Sequence, residues 1–332
     1  SLAGFVFKGY RINGTGTVTG PYEKKGPLSP YFDKTYNDLY FGKPTWEQAE
    51  SKLIEDSVDI VLAKVGKTRF DVDLHISGDL LNQIASSDYA ASNIGIPFFG
   101  VYSACATSVE GLILGANMIE AKQVKNCICS VSSHNNGAEK QFRYPVEYGG
   151  PKPKTATFTT TGGASAYLSY DKKGIRVESA TVGTVIDMGI KDVYHMGAVM
   201  APAAASTICQ HLNDTKREID YYDLVLTGDL GVYGKQILKD YMKSEYHINL
   251  KNYNDTACMI FDLEKEKDVH AAGSGPACAP LVTYGYIFDL MRKKELKRVL
   301  LVATGALHST TMVNQKLSIP AIAHAISLEV VE

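Results

Sequence analysis

The residue of this chain best placed for covalent chemistry is Cys105. It closes the triplet Ser103-Ala104-Cys105, after the apolar run Ile96-Pro97-Phe98-Phe99-Gly100-Val101-Tyr102 and before a segment carrying Val109, Leu112, Ile113, Ala116 and Ile119 at helical spacing. A thiol between a strand and the first turn of a helix meets the positive end of the helix dipole, which lowers its pKa and prepares a nucleophile. Free Cys is also among the most buried residue types, so packing is the competing reading. For Cys278 packing is the favoured one. A nucleophilic Cys needs a base, normally His, and hydrogen-bond donors for an oxyanion. The eight histidines are His75, His134, His195, His211, His247, His270, His308 and His324. His134 follows a central strand and is expected to reach a crevice, whereas His211 and His247 have polar neighbours and read as solvated.

The elements that hold these residues alternate in type. Apolar positions Ala49, Leu53, Ile54, Val58, Val61, Leu62 and Val65 predict a helix over Trp46–Val65. Residues 72–77 then read as a buried strand, 96–102 as a second and 127–131 as a third, with the helix after Cys105 between the last two. Short strands alternating with helices predict a layered α/β fold. Residues 144–153, rich in Pro and Gly, read as a loop. Two nucleotide motifs fail on inspection. In Gly14-Thr15-Gly16-Thr17-Val18-Thr19-Gly20 the third Gly comes one place late and Pro21 follows where a helix should begin. Gly66-Lys67-Thr68 has the tail of a phosphate loop, but position 61 is Val and the run before it is helical.

Self-similarity organises the rest. Asp73-Leu74-His75-Ile76-Ser77-Gly78-Asp79-Leu80 is echoed 150 residues later by Asp223-Leu224-Val225-Leu226-Thr227-Gly228-Asp229-Leu230. Ala104-Cys105-Ala106 is echoed by Ala277-Cys278-Ala279, and Cys127-Ile128-Cys129-Ser130-Val131 by Leu300-Leu301-Val302-Ala303-Thr304. Three echoes in the same order predict an internal duplication, with halves over 1–170 and 171–332. Equivalent loops would converge on one crevice, the usual ligand site of open α/β sheets. Asp79 and Asp229 are then expected to face each other, with Cys105 and Ser274 beside them.

Composition narrows the function. With 34 Lys and Arg against 36 Asp and Glu the formal charge is −2, which lacks the footprint of a nucleic-acid binder. Six scattered cysteines, without a metal-ligand spacing, read as reduced thiols of an intracellular protein. No apolar run reaches the roughly 18 residues of a spanning helix, so a soluble chain is expected.

Taken together, the duplication, the Cys at the head of a first-half helix and the run Thr161-Gly162-Gly163-Ala164-Ser165-Ala166 resemble the thiolase and β-ketoacyl-synthase superfamily. The resemblance implies a five-layered α-β-α-β-α sandwich made of two similar halves. Within it the chain is most similar to a sporulation branch, through Gly78-Asp79-Leu80-Leu81-Asn82-Gln83, Phe142-Arg143-Tyr144-Pro145-Val146-Glu147-Tyr148-Gly149-Gly150, Met200-Ala201-Pro202-Ala203-Ala204-Ala205 and Val302-Ala303-Thr304-Gly305-Ala306-Leu307.

Where the condensing enzymes place a catalytic His this chain has Asp229, and where they place Asn or a second His it has Ser274. Losing one oxyanion donor costs about 10²–10³ in rate, so the resemblance implies a non-catalytic protein with Cys105 as a relic nucleophile. It implies instead binding of dipicolinic acid for uptake into developing spores, as a soluble subunit working with the membrane subunits of a transport assembly, peripherally associated with the spore inner membrane and homodimeric. An acyltransferase with an unorthodox base, or a structural subunit with a vestigial pocket, are the alternatives. The expected ligand-binding residues are Asp79, Asn82, Cys105, His134, Arg143, Met196, Asp229 and Ser274, with Met196 and Met200 in the segment that lines the acyl tunnel of the enzymes. No built-in metal or cofactor is expected. Two carboxylates would repel a dianion, so either Ca²⁺ arrives as the dipicolinate chelate and meets Asp79 and Asp229, or an Asp is held protonated. Backbone N–H groups at the head of the Cys105 helix are a further expected contact for a ligand carboxylate.

Overall fold

The computed structural model describes residues 4–143 and 152–331. Most of the 144–153 loop, and with it much of the run 142–150, lies outside the described residues. The strands of the first half are β1 (Gly4–Val6), β2 (Arg11–Thr19), β3 (Lys34–Thr35), β4 (His75–Gly78), β5 (Phe98–Gly100), β6 (Asn126–Ser133), β7 (Phe158–Thr159) and β8 (Gly162–Ser169). Those of the second are β9 (Ile175–Thr181), β10 (Leu224–Thr227), β11 (Tyr253–Asp255), β12 (Gly273–Ser274), β13 (Arg298–Ala306) and β14 (Ala321–Glu329).

The main sheet runs β11-β10-β13-β14-β9-β2-β8-β6-β4-β5, and its order is the same from either edge. β4 lies parallel to β5 and β6, as β10 does to β11 and β13. β8 is antiparallel to β6 and β2, as β14 is to β13 and β9. Register makes the echo exact in space: His75 opposes Phe98, and Val225, its counterpart, opposes Tyr253. At the centre of the sheet β2 of one leaf pairs with β9 of the other through Arg11 with Arg176 and Ile12 with Ile175. β1 crosses over to pair with β9.

Helices complete five layers. α1 (Trp46–Val65) and α2 (Ala85–Ile94) cover the outer face of the first leaf, α5 (Met196–Thr215) and α6 (Gly231–Tyr246) that of the second. Between the leaves lie α3 (Thr107–Glu120) and the helical stretch 278–292, made of α8 (Cys278–Leu281), a π-helical segment (Val282–Ile287) and α9 (Phe288–Arg292). Short helices α4 (Asn135–Phe142), α7 (Ala257–Ile260) and α10 (Thr310–Asn314) border the strand ends.

Sequence chemistry explains these placements. α1 begins where Thr45 accepts from the Gln48 N–H at 3.2 Å and ends at Gly66 in the left-handed region at φ 66°, so Gly66 is a helix cap and not a phosphate loop. Gly16 of β2 is required for packing, since a Cβ there would lie 2.1 Å from the Ser57 carbonyl of α1. Helix α3 packs on β4 and β6 on one side and on β13 and β14 on the other. Its stripe of Val109, Leu112 and Ile119 is buried, and so are the small residues Gly111 and Gly115 that let the sheet approach its second face. Each large apolar side chain buried here contributes about 1.5–3 kcal/mol. Gly305 of β13 allows a close approach of the halves, because a Cβ there would fall 2.2 Å from the Ser103 carbonyl.

One expectation fails inside this core. His211 is not solvated: it is buried on α5, with Nδ1 bonded to Thr181 Oγ1 and Nε2 to Tyr222 OH, each at 2.8 Å. Burial pushes its imidazole down to about 4. The polar neighbours seen in sequence lie on the other faces of the helix.

Candidate ligand-binding site

A cavity opens where the turn after β5, the end of β13, the small parallel pair β7–β12 and the adjoining ends of α4 and α5 converge. Its enclosed volume is about 70 Å³, room for roughly five waters at about 10–15 Å³ each, and it shares four wall residues with a wider outer groove. Cys105 and Ser274 stand on its wall, and Met196 and Met200 of the first turns of α5 form an apolar side. Tyr102 and Phe142 add aromatic surface.

Cys105 is held by an unusual turn. Residues 104–106 form a single 3₁₀ turn before α3, and Ala104 adopts φ 49°, a conformation costing a non-glycine residue about 1–2 kcal/mol. The thiol is not activated as expected. Burial, and then the neighbouring Asp229, push it well above the ordinary thiol range, against a smaller opposing pull from the Gly275 N–H. Desolvation of a thiolate outweighs the helix field. Among the described residues no histidine hydrogen-bonds to Cys105.

The two echoed aspartates do not face each other. Asp79 is buried beneath the 79–87 loop, where Oδ1 accepts from the Leu81 N–H and Oδ2 from the Ser87 N–H, both at 2.8 Å. It does not line the cavity, although its neighbour Leu80 does. Burial raises it to about 6. Asp229 sits behind Cys105 at φ 65°, fully buried, with its carboxyl against the thiols of Cys105 and Cys278. Neither of its oxygens has a well-formed hydrogen bond among the described residues. Burial, and then Asp255, push it well above the ordinary carboxylate range. Asp79 and Asp229 thus do not form the facing pair expected, and among the described residues no cluster of three His, Cys, Asp or Glu is arranged to hold a metal.

Cationic character comes from elsewhere. Arg143 lines the cavity and donates from Nη1 to Glu139 Oε1 at 3.0 Å and to the Thr157 carbonyl at 3.1 Å. Lys152 closes on the other oxygen of Glu139 at 2.9 Å. His134 does not line the cavity. It caps α4, with Nδ1 accepting from the Gly137 N–H at 3.3 Å and Nε2 donating to the Leu39 carbonyl at 2.8 Å. Asn82 is exposed and belongs to an outer groove that shares Leu80, Tyr102, Phe142 and His308 with the cavity.

Sequence reasoning missed Glu139 and His308, both on the cavity wall. Glu139 was findable, one helical turn before Arg143 at the spacing of an ion pair. His308 follows the run ending at Leu307 and its ring lies 5.2 Å from that of Phe142. Burial and Arg143 lower it to about 4, so it is neutral at physiological pH.

Two mirrored leaves, a central helix layer and a Cys at the head of its first helix define a thiolase-like fold. A variant of OleA from Xanthomonas campestris aligns with a TM-score of 0.63 at 13% identity, over 98% of this chain and 99% of that one. The 3-oxoacyl-[acyl-carrier-protein] synthase III of Aquifex aeolicus gives 0.59 at 11%, over 97% and 100%. Residues 5–329 match the family described as Stage V sporulation protein AD, and the chain belongs to that family. The Stage V sporulation protein AD of Bacillus subtilis is 46% identical over 319 residues, 96% of this chain and 94% of the relative. No helix among the described residues is long and apolar enough to cross a membrane.

Proposed function

We propose that this chain binds dipicolinic acid without transforming it, and serves the acid's uptake into the developing spore at the inner membrane beside the other stage V sporulation A membrane subunits. One observation carries the reading: Arg143 shares the wall of one cavity with Tyr102 and Phe142, and the two aromatic residues also line the outer groove next to it. A guanidinium suits a carboxylate through two parallel hydrogen bonds, and the flat rings suit a pyridine. Against acyl transfer stand a Cys105 thiol shifted towards its protonated form and, in place of a base, an Asp229 shifted the same way. Calcium is cargo in this reading and not a resident ion, because Glu139 is already paired with two cations and Asp79 with two N–H groups. The free edge of β5, with Phe99 half exposed, is the surface for homodimer formation.

Calorimetry tests the reading. Wild type should release heat with metal-free dipicolinate in chelator, and Arg143→Gln should bind at least about tenfold more weakly, since a charge-assisted bond is lost. An absence of heat in wild type, with or without calcium, would sink the proposal. Binding seen only with calcium would return the metal to the pocket.

A further inference from the structure

The charges around the cavity do not match a dianion. Arg143 and Lys152 bring two positive charges, and Glu139 lies between them with a side chain only 3% exposed. Among the described residues the other titratable groups at the cavity are shifted towards their neutral forms: His308 on the wall down to about 4, Tyr102 up to about 12, and both the Cys105 thiol and Asp229 behind it, which faces Cys278 and Asp255, upward by burial. One net positive charge is left, and water cannot screen it fully. A charge of unmatched sign in such a place is expensive.

We infer that the cavity accepts its ligand as a singly charged anion, with one carboxyl ionised on Arg143 and the other kept as the neutral acid, and that Glu139 is the residue that sets this limit. The inference rests on the pocket reading above and adds to it the ionisation state of the bound species. The neutral carboxyl finds hydroxyl acceptors on Thr157, Thr159 and Ser274, all on the wall. Glu139 thus acts through charge, penalising every negative charge beyond the first. An aromatic acid with one ionised carboxylate fits, and the fully ionised form of dipicolinic acid is selected against at neutral pH.

Three ligands of one shape separate the charges: dipicolinate, its monoamide (a fixed monoanion) and its neutral diamide, titrated at about pH 7.5, where aromatic carboxyls are ionised. Wild type should prefer the monoamide to dipicolinate by about tenfold or more, the scale of a like-charge contact in a poorly screened site. Glu139→Gln should reverse that order. Lys152→Met, at a partly exposed position, should shift preference towards the diamide and provides a reading should Glu139→Gln fail to fold. A wild type that prefers dipicolinate, or a preference unmoved in both variants, overturns the inference. If none of the three ligands binds wild type, the pocket reading itself falls, and this inference with it.

Discussion

At the ends of β4 and β10 the chain repeats three residues, Gly78-Asp79-Leu80 and Gly228-Asp229-Leu230, yet the two aspartates do opposite work. Asp79 closes its own loop by accepting two backbone N–H groups. Asp229 accepts none and turns into the left-handed region, against two thiols. The cause lies one strand away. Ser77 opposes Gly100 on β5, whereas its counterpart Thr227 opposes Asp255 on β11. Asp255 takes the N–H groups of Leu230 at 3.2 Å and of Gly231 and Ala257 at 3.1 Å, and the Thr227 hydroxyl at 2.6 Å. Once a neighbouring strand closes the loop, the echoed Asp is free to turn towards the thiols behind the pocket wall. Duplication supplied two equal loops, and a single residue at a strand end let one of them diverge.

The largest break in this comparison should come from Asp255→Ala. Three buried N–H donors lose their acceptor together, while the Thr227 hydroxyl keeps its bond to Tyr253, and each unsatisfied group costs about 1–3 kcal/mol, so a loss of about 4 kcal/mol is expected in urea unfolding at about pH 5. The cavity would loosen with it, because α6 starts at Gly231. A loss below about 1 kcal/mol would mean that Asp255 does not carry the second loop.

Asp79→Ala should cost less, about 2 kcal/mol at the same pH, with two acceptors removed. Its pH dependence has a definite sign. Burial raises Asp79 to about 6 from an ordinary value of 3.8, so the fold favours the protonated acid. That share of stability is whole below about pH 4 and is lost as the pH climbs through 6. The penalty of the mutation should therefore shrink between pH 5 and pH 8. A penalty that grew over this range would show that the carboxylate, and not the acid, is the form the loop stabilises.

Much of this was legible in the sequence. The helix over Trp46–Val65 was legible from its apolar spacing, a local signal, and the echoes mark strands that do occupy equivalent places. Cys105, Arg143, Met196 and Ser274 do share one cavity. Asp79 was misplaced because an aspartate's partner is set by register with a distant strand, and Gly100 against Asp255 is invisible until β5 and β11 are paired. His134 was misread because a residue after a strand can equally cap the next helix, and the following Asn135-Asn136-Gly137 is compatible with a cap. The helix field at Cys105 was local and real in kind, but burial is a tertiary quantity and it outweighed the field.

The smallest expected effect tests the freed member of the pair. In Asp229→Asn an amide replaces a buried carboxyl that has no well-formed bond to lose, and only one added N–H donor is left without a partner, so stability at about pH 5 should fall by about 1 kcal/mol. As the pH rises, wild type gives up the share of stability tied to the protonated acid, and the variant should become the more stable of the two. The Cys105 thiol gives a second readout. Burial is the larger cause of its raised pKa and Asp229 the next, so alkylation at about pH 8 should stay far slower than that of free cysteine in both proteins and rise only severalfold in the variant. Fast alkylation of wild type would instead mark an activated nucleophile, and would reopen acyl transfer as the function of the second half's divergence.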